Sequence, residues 1–411
     1  MKTDTGNYPI REAFRKFFPA YLAEHPMLPE EKCKAGYAIM RCKSGDLGYN
    51  ISICEDCGHP LIHAVSCNNR NCPCCQLPQE RKWELERNSE LIEGIAYYHV
   101  VFTLPEELNH LILTNQKVLL KLLFTCATET LLSLCADRKF MGAKPGIISV
   151  LHTWGQKLNF HPHLHVCMSG GGITPAGQFV NTCHKGFFLP EAVVASSFRG
   201  RFLVQMKSLY NAGRLNLSQT PELEDPEEWQ AFINRLFKKR WLPFIKETFN
   251  GKGNAIKYLA RYSFRTAIAN SRIISVTDKT VTFSYKDYAD NNAVKTMTVP
   301  GKEFIGMFLT HVLPSGFHRM RLSGYLASCC KTKNLKLIHR LRSSVYPGNP
   351  YRHMNMQQLM LELFGVDICQ CQKCNGHMIP LARAKPREEV SEAIDCAFMR
   401  VQLGYSPDHK F

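Results

Sequence analysis

Apolar residues recur along this chain at two periods. In AYYHVVFTLP (96–105), GIISVLHTW (146–154) and PHLHVCMSG (162–170), β-branched and aromatic residues crowd or alternate over short runs. Such runs predict strands, the first stopped by Pro105 and the third by the glycines at 170–172. From 106 to about 135, leucines and Phe124 return every three or four positions, predicting a helix. A second helix is expected over 79–93. A third is expected over 254–269, NAIKYLARYSFRTAIA, capped by Asn254 and preceded by Gly251 and Gly253. RIISVTDKTVTFSY (272–285) predicts a hairpin turning at Asp278-Lys279. Helices alternate with strands, some joined by tight turns, so an α+β layer with a largely antiparallel sheet fits better than a parallel one. No internal repeat interrupts the pattern.

Length and charge extend the picture. A chain of 411 residues is long for one core, so two or three domains are expected. Its 51 Lys and Arg against 35 Asp and Glu leave a net charge of +16. An excess of that size favours a polyanionic partner, because a basic surface that neutralises phosphates releases their counterions. No run of about eighteen apolar residues stands out, and the opening MKTDTGNYPIREAFRKFF lacks a charged leader followed by an apolar stretch. No membrane is therefore expected, and the expected location is cytoplasmic. In that compartment the eighteen cysteines read as metal ligands and core thiols rather than disulfides.

The cysteines are clustered. Cys54-x2-Cys57 and Cys72-x2-Cys75 are two CxxC pairs separated by fourteen residues. Two such turns can present four thiolates tetrahedrally to Zn²⁺, and a site closed by four sulfurs is structural. Cys42 and Cys67 remain over, near Cys33 and His63; they form another site or sit buried as small hydrophobes. Cys74, beside a ligand, is expected to point away. Arg70, Arg81 and Lys82 flank the knuckles and suit either a DNA backbone or a protein contact. Near the other end, Cys371, Cys374 and His377 suggest a second zinc site, with Cys369, Cys329 or Cys330 as further candidates. The basic stretch at 331–344, with leucine spacing, is either a solvated helix face or a DNA contact.

The segment HPHLHVCMSGGG sets His161, His163 and His165 at alternate positions, hence on one face of a strand, with Leu164 and Val166 opposite. Protonated imidazoles so placed repel, and a shared metal ion relieves that; the plainer alternative is that one or two of them bond to nearby backbone. Gln156, seven residues before His163, offers a third ligand. Three protein ligands leave positions for water and a phosphate oxygen, with Mg²⁺ or Mn²⁺ as the ion and two imidazoles tilting the choice toward Mn²⁺. GxxxxGK[ST] is absent, so no nucleotide cofactor is expected. On the 254–269 helix, Tyr258 and Tyr262 lie one turn apart, either as nucleophiles or as ordinary packing, beside a phosphate-binding stripe of Lys257, Arg261 and Arg265.

These segments together resemble the HUH single-strand nucleases, U being a bulky hydrophobic residue: here His163-Leu164-His165. SCNNRNCPCCQ, YYHVVFTLPEELN, VLHTWGQKLNFHPHLHVCMSGGGI, FRGRF and YLARY follow the order seen in transposases of the insertion-sequence-91 family, from about Cys42 to about Tyr325. The resemblance implies an N-terminal zinc-binding domain (1–93) and an HUH nuclease domain with an antiparallel ferredoxin-like or RRM-like sheet (94–325); residues 326–411 then stand as a basic C-terminal region with the candidate second zinc knuckle. It implies rolling-circle-type transposition, with single-stranded DNA at transposon ends cut and rejoined through a 5′-phosphotyrosine. In that scheme His163 and His165 hold the metal, Gln156 is the third ligand, His161 supports them, and Tyr258 and Tyr262 attack. Asn71 stands where the family usually has histidine. Two rival readings carry less of the sequence. A non-catalytic zinc-ribbon DNA-binding protein leaves the histidines structural, and a histidine-metal hydrolase of small molecules leaves the charge and the knuckles unexplained.

Overall fold

The computed structural model describes residues 8–182, 189–241, 243–248 and 267–384. Its strands, in chain order, are β1 (Tyr49–Cys54), β2 (Pro60–Ala64), β3 (Tyr97–Thr103), β4 (Lys144–Trp154), β5 (Phe160–Ile173), β6 (Phe179–Asn181), β7 (Phe244–Thr248), β8 (Ile273–Val276), β9 (Thr280–Asp287), β10 (Ala293–Pro300), β11 (Met320–Gly324) and β12 (Met378–Ala384). The chain forms two compact units, each from separated segments: Met1–Lys82, Phe264–Val312 and Tyr351–Phe411 in the first, Trp83–Ser263 and Leu313–Pro350 in the second. This division differs from the expected 1–93, 94–325 and 326–411. Residues 326–411 make no unit of their own, because β12 pairs with β1 in the first unit while helix Lys331–Leu341 belongs to the second.

In the first unit, helices Pro9–Glu24, Glu30–Arg41 and Gly301–Thr310 bury an aromatic seam. Phe14 meets Phe308 edge-on at 5.1 Å, and Phe18 and Ile39 are fully buried. Two small antiparallel sheets accompany them, β10-β9-β8 and β12-β1-β2. The hairpin expected over 272–285 is present as β8 and β9.

The second unit is built on an antiparallel sheet in the order β11-β4-β5-β3-β7, with β6 added at the end of β5. Period-two alternation explains its layering. Val100 and Phe102 on β3, Ile147 and Leu151 on β4, and Leu164, Val166 and Met168 on β5 enter one continuous core. That core also takes Leu119 and Leu123 of helix Gln116–Ala136, Phe198 and Phe202 of helix Glu191–Asn211, and Trp229 and Leu236 of helix Pro226–Lys238. The architecture is mixed helix and antiparallel sheet, as expected.

Three local expectations change. The helix expected from 106 to 135 is divided at Asn115, whose side chain donates to the carbonyls of Leu111 and Asn216 and accepts from Asn216 N–H. Helix Gln116–Ala136 is long and apolar enough to cross a membrane by length and composition, although no such run was read from the sequence. It is a core helix, with Leu119, Leu120, Leu123, Ala127 and Leu131 at or below 1% exposure. Gly170, Gly171 and Gly172 do not end the third strand but lie within it. A Cβ on Gly171 would come within 2.7 Å of Val180 O, and one on Gly172 within 2.6 Å of Lys144 O. Bare backbone is what lets β5 pair with β4 and β6 there.

Phe102, fully buried under Phe198 at 4.8 Å, tests that core. Phe102→Ala should destabilise the second unit by about 3–5 kcal/mol, read from the urea midpoint.

Candidate functional site

The face of the sheet opposite the helices carries imidazoles. On β5, His163 and His165 alternate with the core residues Leu164 and Val166. His152 on β4 stands directly across from His163 in the strand register. One ring nitrogen from each of His152, His163 and His165 lies within 4.8 Å of the other two. Neighbouring rings are 4.7 to 5.3 Å apart, centroid to centroid, and cross steeply. His152 was not singled out from the sequence. Its signal was the alternation of Ile148, Val150 and His152 in GIISVLHTW, but only the β4–β5 register shows that the last of these meets His163. Gln156 lies half-buried in the turn between β4 and β5.

The protonation of these rings is set locally. His163 Nδ1 lies 2.7 Å from the carbonyl of His161, an acceptor only, so Nδ1 carries the proton and Nε2 keeps its lone pair. His161 thus acts through its backbone. Burial pushes the His163 imidazole down to about 4, against the opposing pull of that hydrogen bond. Burial, with His152 close by, holds His165 well below the usual imidazole value. Both rings are therefore neutral near pH 7, the form that binds a metal ion. His152 and His165 are buried, at 3% and 7% exposure, while His163 is half-buried. The plainer alternative, a histidine bonded to backbone, holds for one nitrogen of His163 and leaves the other free.

Among the described residues, eight thiols form two sets. Cys42, Cys67, Cys72 and Cys75 are one; Cys54, Cys57, Cys371 and Cys374 are the other, each with sulfurs within 4.8 Å of one another. The expected set of Cys54, Cys57, Cys72 and Cys75 is thus divided between two centres. The physical reason is strand pairing: β12 lies against β1, with Met378 opposite Cys54, and this brings the C-terminal CxxC to the first one. His377, expected as a ligand beside Cys371 and Cys374, instead pairs with Glu55 at 3.0 Å. Cys74 stays outside its neighbours' set, buried, with the Asn270 amide 3.9 Å from its sulfur.

Both sets fit zinc. Sulfurs bonded to one Zn²⁺ at about 2.3 Å sit about 3.8 Å apart along the edges of a tetrahedron. Cys67 and Cys75 are 3.8 Å apart, Cys57 and Cys371 3.8 Å, and Cys54 and Cys374 3.4 Å. A disulfide would need about 2.05 Å. Backbone N–H groups two residues on donate to the sulfurs: Asn69 to Cys67, Cys74 to Cys72, Lys373 to Cys371 and Gly376 to Cys374, at 3.4 to 3.5 Å. Such donors favour thiolate; the Lys373 N–H is the main reason that the Cys371 thiol falls to about 7. A Cβ on Gly376 would meet the Asp56 carboxylate at 2.0 Å and the Cys54 sulfur at 3.0 Å, so a larger residue there would displace Asp56 and crowd the thiolate.

Comparison with known proteins gives this arrangement a context. Residues 146–333 match the family described as "Putative transposase", and residues 13–104 match the "Transposase zinc-binding domain". The chain is 36% identical to the "Putative transposase y4qJ" of Sinorhizobium fredii over 376 residues, 90% of this chain and 94% of that one. It belongs to the insertion-sequence-91 family of transposases. The transposase is also 26% identical to the transposase for insertion sequence element IS801 of Pseudomonas savastanoi pv. phaseolicola, over 88% of this chain and 86% of that one. No solved structure matches it.

Family membership makes DNA the transposase's partner and a structural zinc role the natural one for the closed thiol sets. The expected nucleophiles, Tyr258 and Tyr262, and the stripe of Lys257, Arg261 and Arg265 lie outside the described residues. The basic stretch at 331–344 is in part a core element: Leu335 and Ile338 are buried, and Lys331 pairs with the buried Glu90. Lys333, Lys336 and Arg340 stay exposed.

The two-centre arrangement has a direct test. Thiol-specific displacement should release two zinc ions per chain from the cysteine sets. The pair Cys371→Ser and Cys374→Ser should lower the count by one, as should Cys54→Ser with Cys57→Ser, and combining all four should lower it no further. A four-cysteine centre of Cys54, Cys57, Cys72 and Cys75 predicts no loss from the C-terminal pair.

Proposed function

We propose that this transposase cuts and rejoins single-stranded DNA at transposon ends, with a divalent ion held by His152, His163 and His165 and with Tyr258 and Tyr262 as nucleophiles. The observation that carries the reading is the convergence of three imidazoles on one sheet face, two of them from the His-Leu-His segment that resembles the HUH nucleases. Three imidazole nitrogen donors suit Mn²⁺ better than Mg²⁺, which prefers oxygen. His152 takes the role expected of Gln156, being the donor that the strand register sets against His163.

Bound there, the ion would polarise a phosphate oxygen and stabilise the charge that builds during displacement. The residues do the rest. A tyrosine phenol oxygen attacks phosphorus and loses its proton. The bond from phosphorus to the 3′-oxygen breaks, and that oxygen leaves and is protonated. DNA then remains joined to tyrosine through its 5′-phosphate, with a free 3′-hydroxyl on the other fragment. One phosphate ester replaces another, so no nucleotide is consumed. Tyrosine ionises near pH 10 in water, so charge stabilisation at the phosphate is what brings the step within reach at neutral pH. A second tyrosine four residues along the chain permits a second cut before the first link is resolved. His163 and His165, neutral and each held by a hydrogen bond at Nδ1, keep their geometry without reorganising. The net charge of +16 serves binding of the strand.

The test is covalent capture. Wild-type protein with Mn²⁺ and a labelled single-stranded oligonucleotide bearing the element's end should give a denaturation-resistant protein–DNA band. Tyr258→Phe combined with Tyr262→Phe should abolish it. His152→Ala should lower its rate about 100-fold or more, as expected for a lost metal ligand, and Gln156→Ala should cost much less. An adduct that survives both tyrosine changes would overturn the nucleophile assignment. A wild type that binds DNA but never forms the adduct would favour the non-catalytic zinc-ribbon reading.

A further inference from the structure

A fourth histidine lies beside the three. His99, on β3, is 5% exposed, and its Nε2 is 3.0 Å from Nδ1 of His165, with the two ring planes within 7° of each other. A contact of that length between two ring nitrogens needs one proton and one lone pair. At 3.0 Å the two rings share a single hydrogen between these atoms.

Which ring owns that hydrogen decides what His165 can do. If His99 donates, His165 accepts at Nδ1 and carries its proton on Nε2, where it cannot take a metal ion. If His165 donates, its Nε2 carries the lone pair that a metal ion needs. His163 faces no such choice, because the carbonyl beneath its Nδ1 can only accept. The two ligands of the His-Leu-His segment are thus fixed by different means, one by backbone and one by a side chain from the neighbouring strand.

We propose that His99 is a positioning residue: by accepting the Nδ1–H of His165 at its own Nε2, it fixes the tautomer and the ring plane that present His165 Nε2 to the ion. This rests on the metal reading given above. Partners of this kind orient imidazole ligands and raise their basicity, and their loss weakens metal binding by about 10- to 100-fold.

Two substitutions at position 99 separate positioning from packing. In His99→Gln the amide oxygen takes nearly the place of Nε2 and can still accept; in His99→Phe the ring volume stays and the acceptor goes. Mn²⁺ affinity at this site, measured by titration of the full-length protein with its cysteine zinc in place, should fall about 10- to 100-fold in His99→Phe and largely return in His99→Gln. A packing role gives the reverse order, and equal affinity in wild type and His99→Phe overturns the proposal. A wild type whose Mn²⁺ binding is indifferent to His163→Ala sinks the metal reading itself, so the two failures are distinct. Should His99→Phe not fold, ring-nitrogen NMR of the wild type decides: His165 protonated at Nδ1 is the expected tautomer, and protonation at Nε2 overturns the inference.

Discussion

A strand at the middle of a sheet has two faces and must satisfy each differently, and β5 is where this constraint bears hardest. Leu164, Val166 and Met168 are fully buried in the core beneath the helices. On the other face, His163 and His165 are held in a setting that strips them of charge. Shifting the register by one residue would drive imidazoles into the aliphatic core and Leu164 out of it, so burial on one side locks the chemistry on the other. The bare backbone of Gly170, Gly171 and Gly172 then extends the same strand through a crowded junction, and the added pairing makes that register harder to slip.

The pair His163 and His165 was legible because both its members lie on one strand, where alternation suffices. His152 was not, since it joins them only through a cross-strand register that depends on the turn between 154 and 160. In that turn Leu158, buried, adopts a positive φ of 60° and Gly155 N–H closes onto Asn159 O. His99 is further removed: it stands across from Cys167, and reaches His165 only diagonally. Sequence shows such residues as apolar-strand histidines without saying what they face.

The cysteines show a different limit. Spacing identified CxxC turns, and every such turn contributes to a thiol set. It did not say which turns share an ion, because the tetrahedron is indifferent to chain order. Cys72 and Cys75 close with Cys67, five residues before Cys72, and with Cys42, while the Cys54–Cys57 turn waits for a partner more than 300 residues away. Proximity in sequence favoured a pairing that the sulfur positions divide. Their grouping follows from β1 and β12 lying side by side, a contact between distant parts of the chain that no local pattern announces.

That long closure also has an energetic meaning. The first unit is assembled from three segments, and the whole second unit is inserted between its parts. Bringing distant segments together costs entropy, although the cost grows only as the logarithm of the loop, about 0.6 kcal/mol for each doubling. A four-thiolate zinc centre contributes far more than that, because its binding free energy is folding free energy when no site exists in the unfolded chain. The apolar cluster beside the centre is small, built on Cys54, Cys371 and Met378 with Leu61 packed against it. A zinc ion held by Cys54, Cys57, Cys371 and Cys374 would add a metal tie to the backbone pairing of β1 with β12, and Cys54 and Cys57 meet those partners only after the inserted unit has been made.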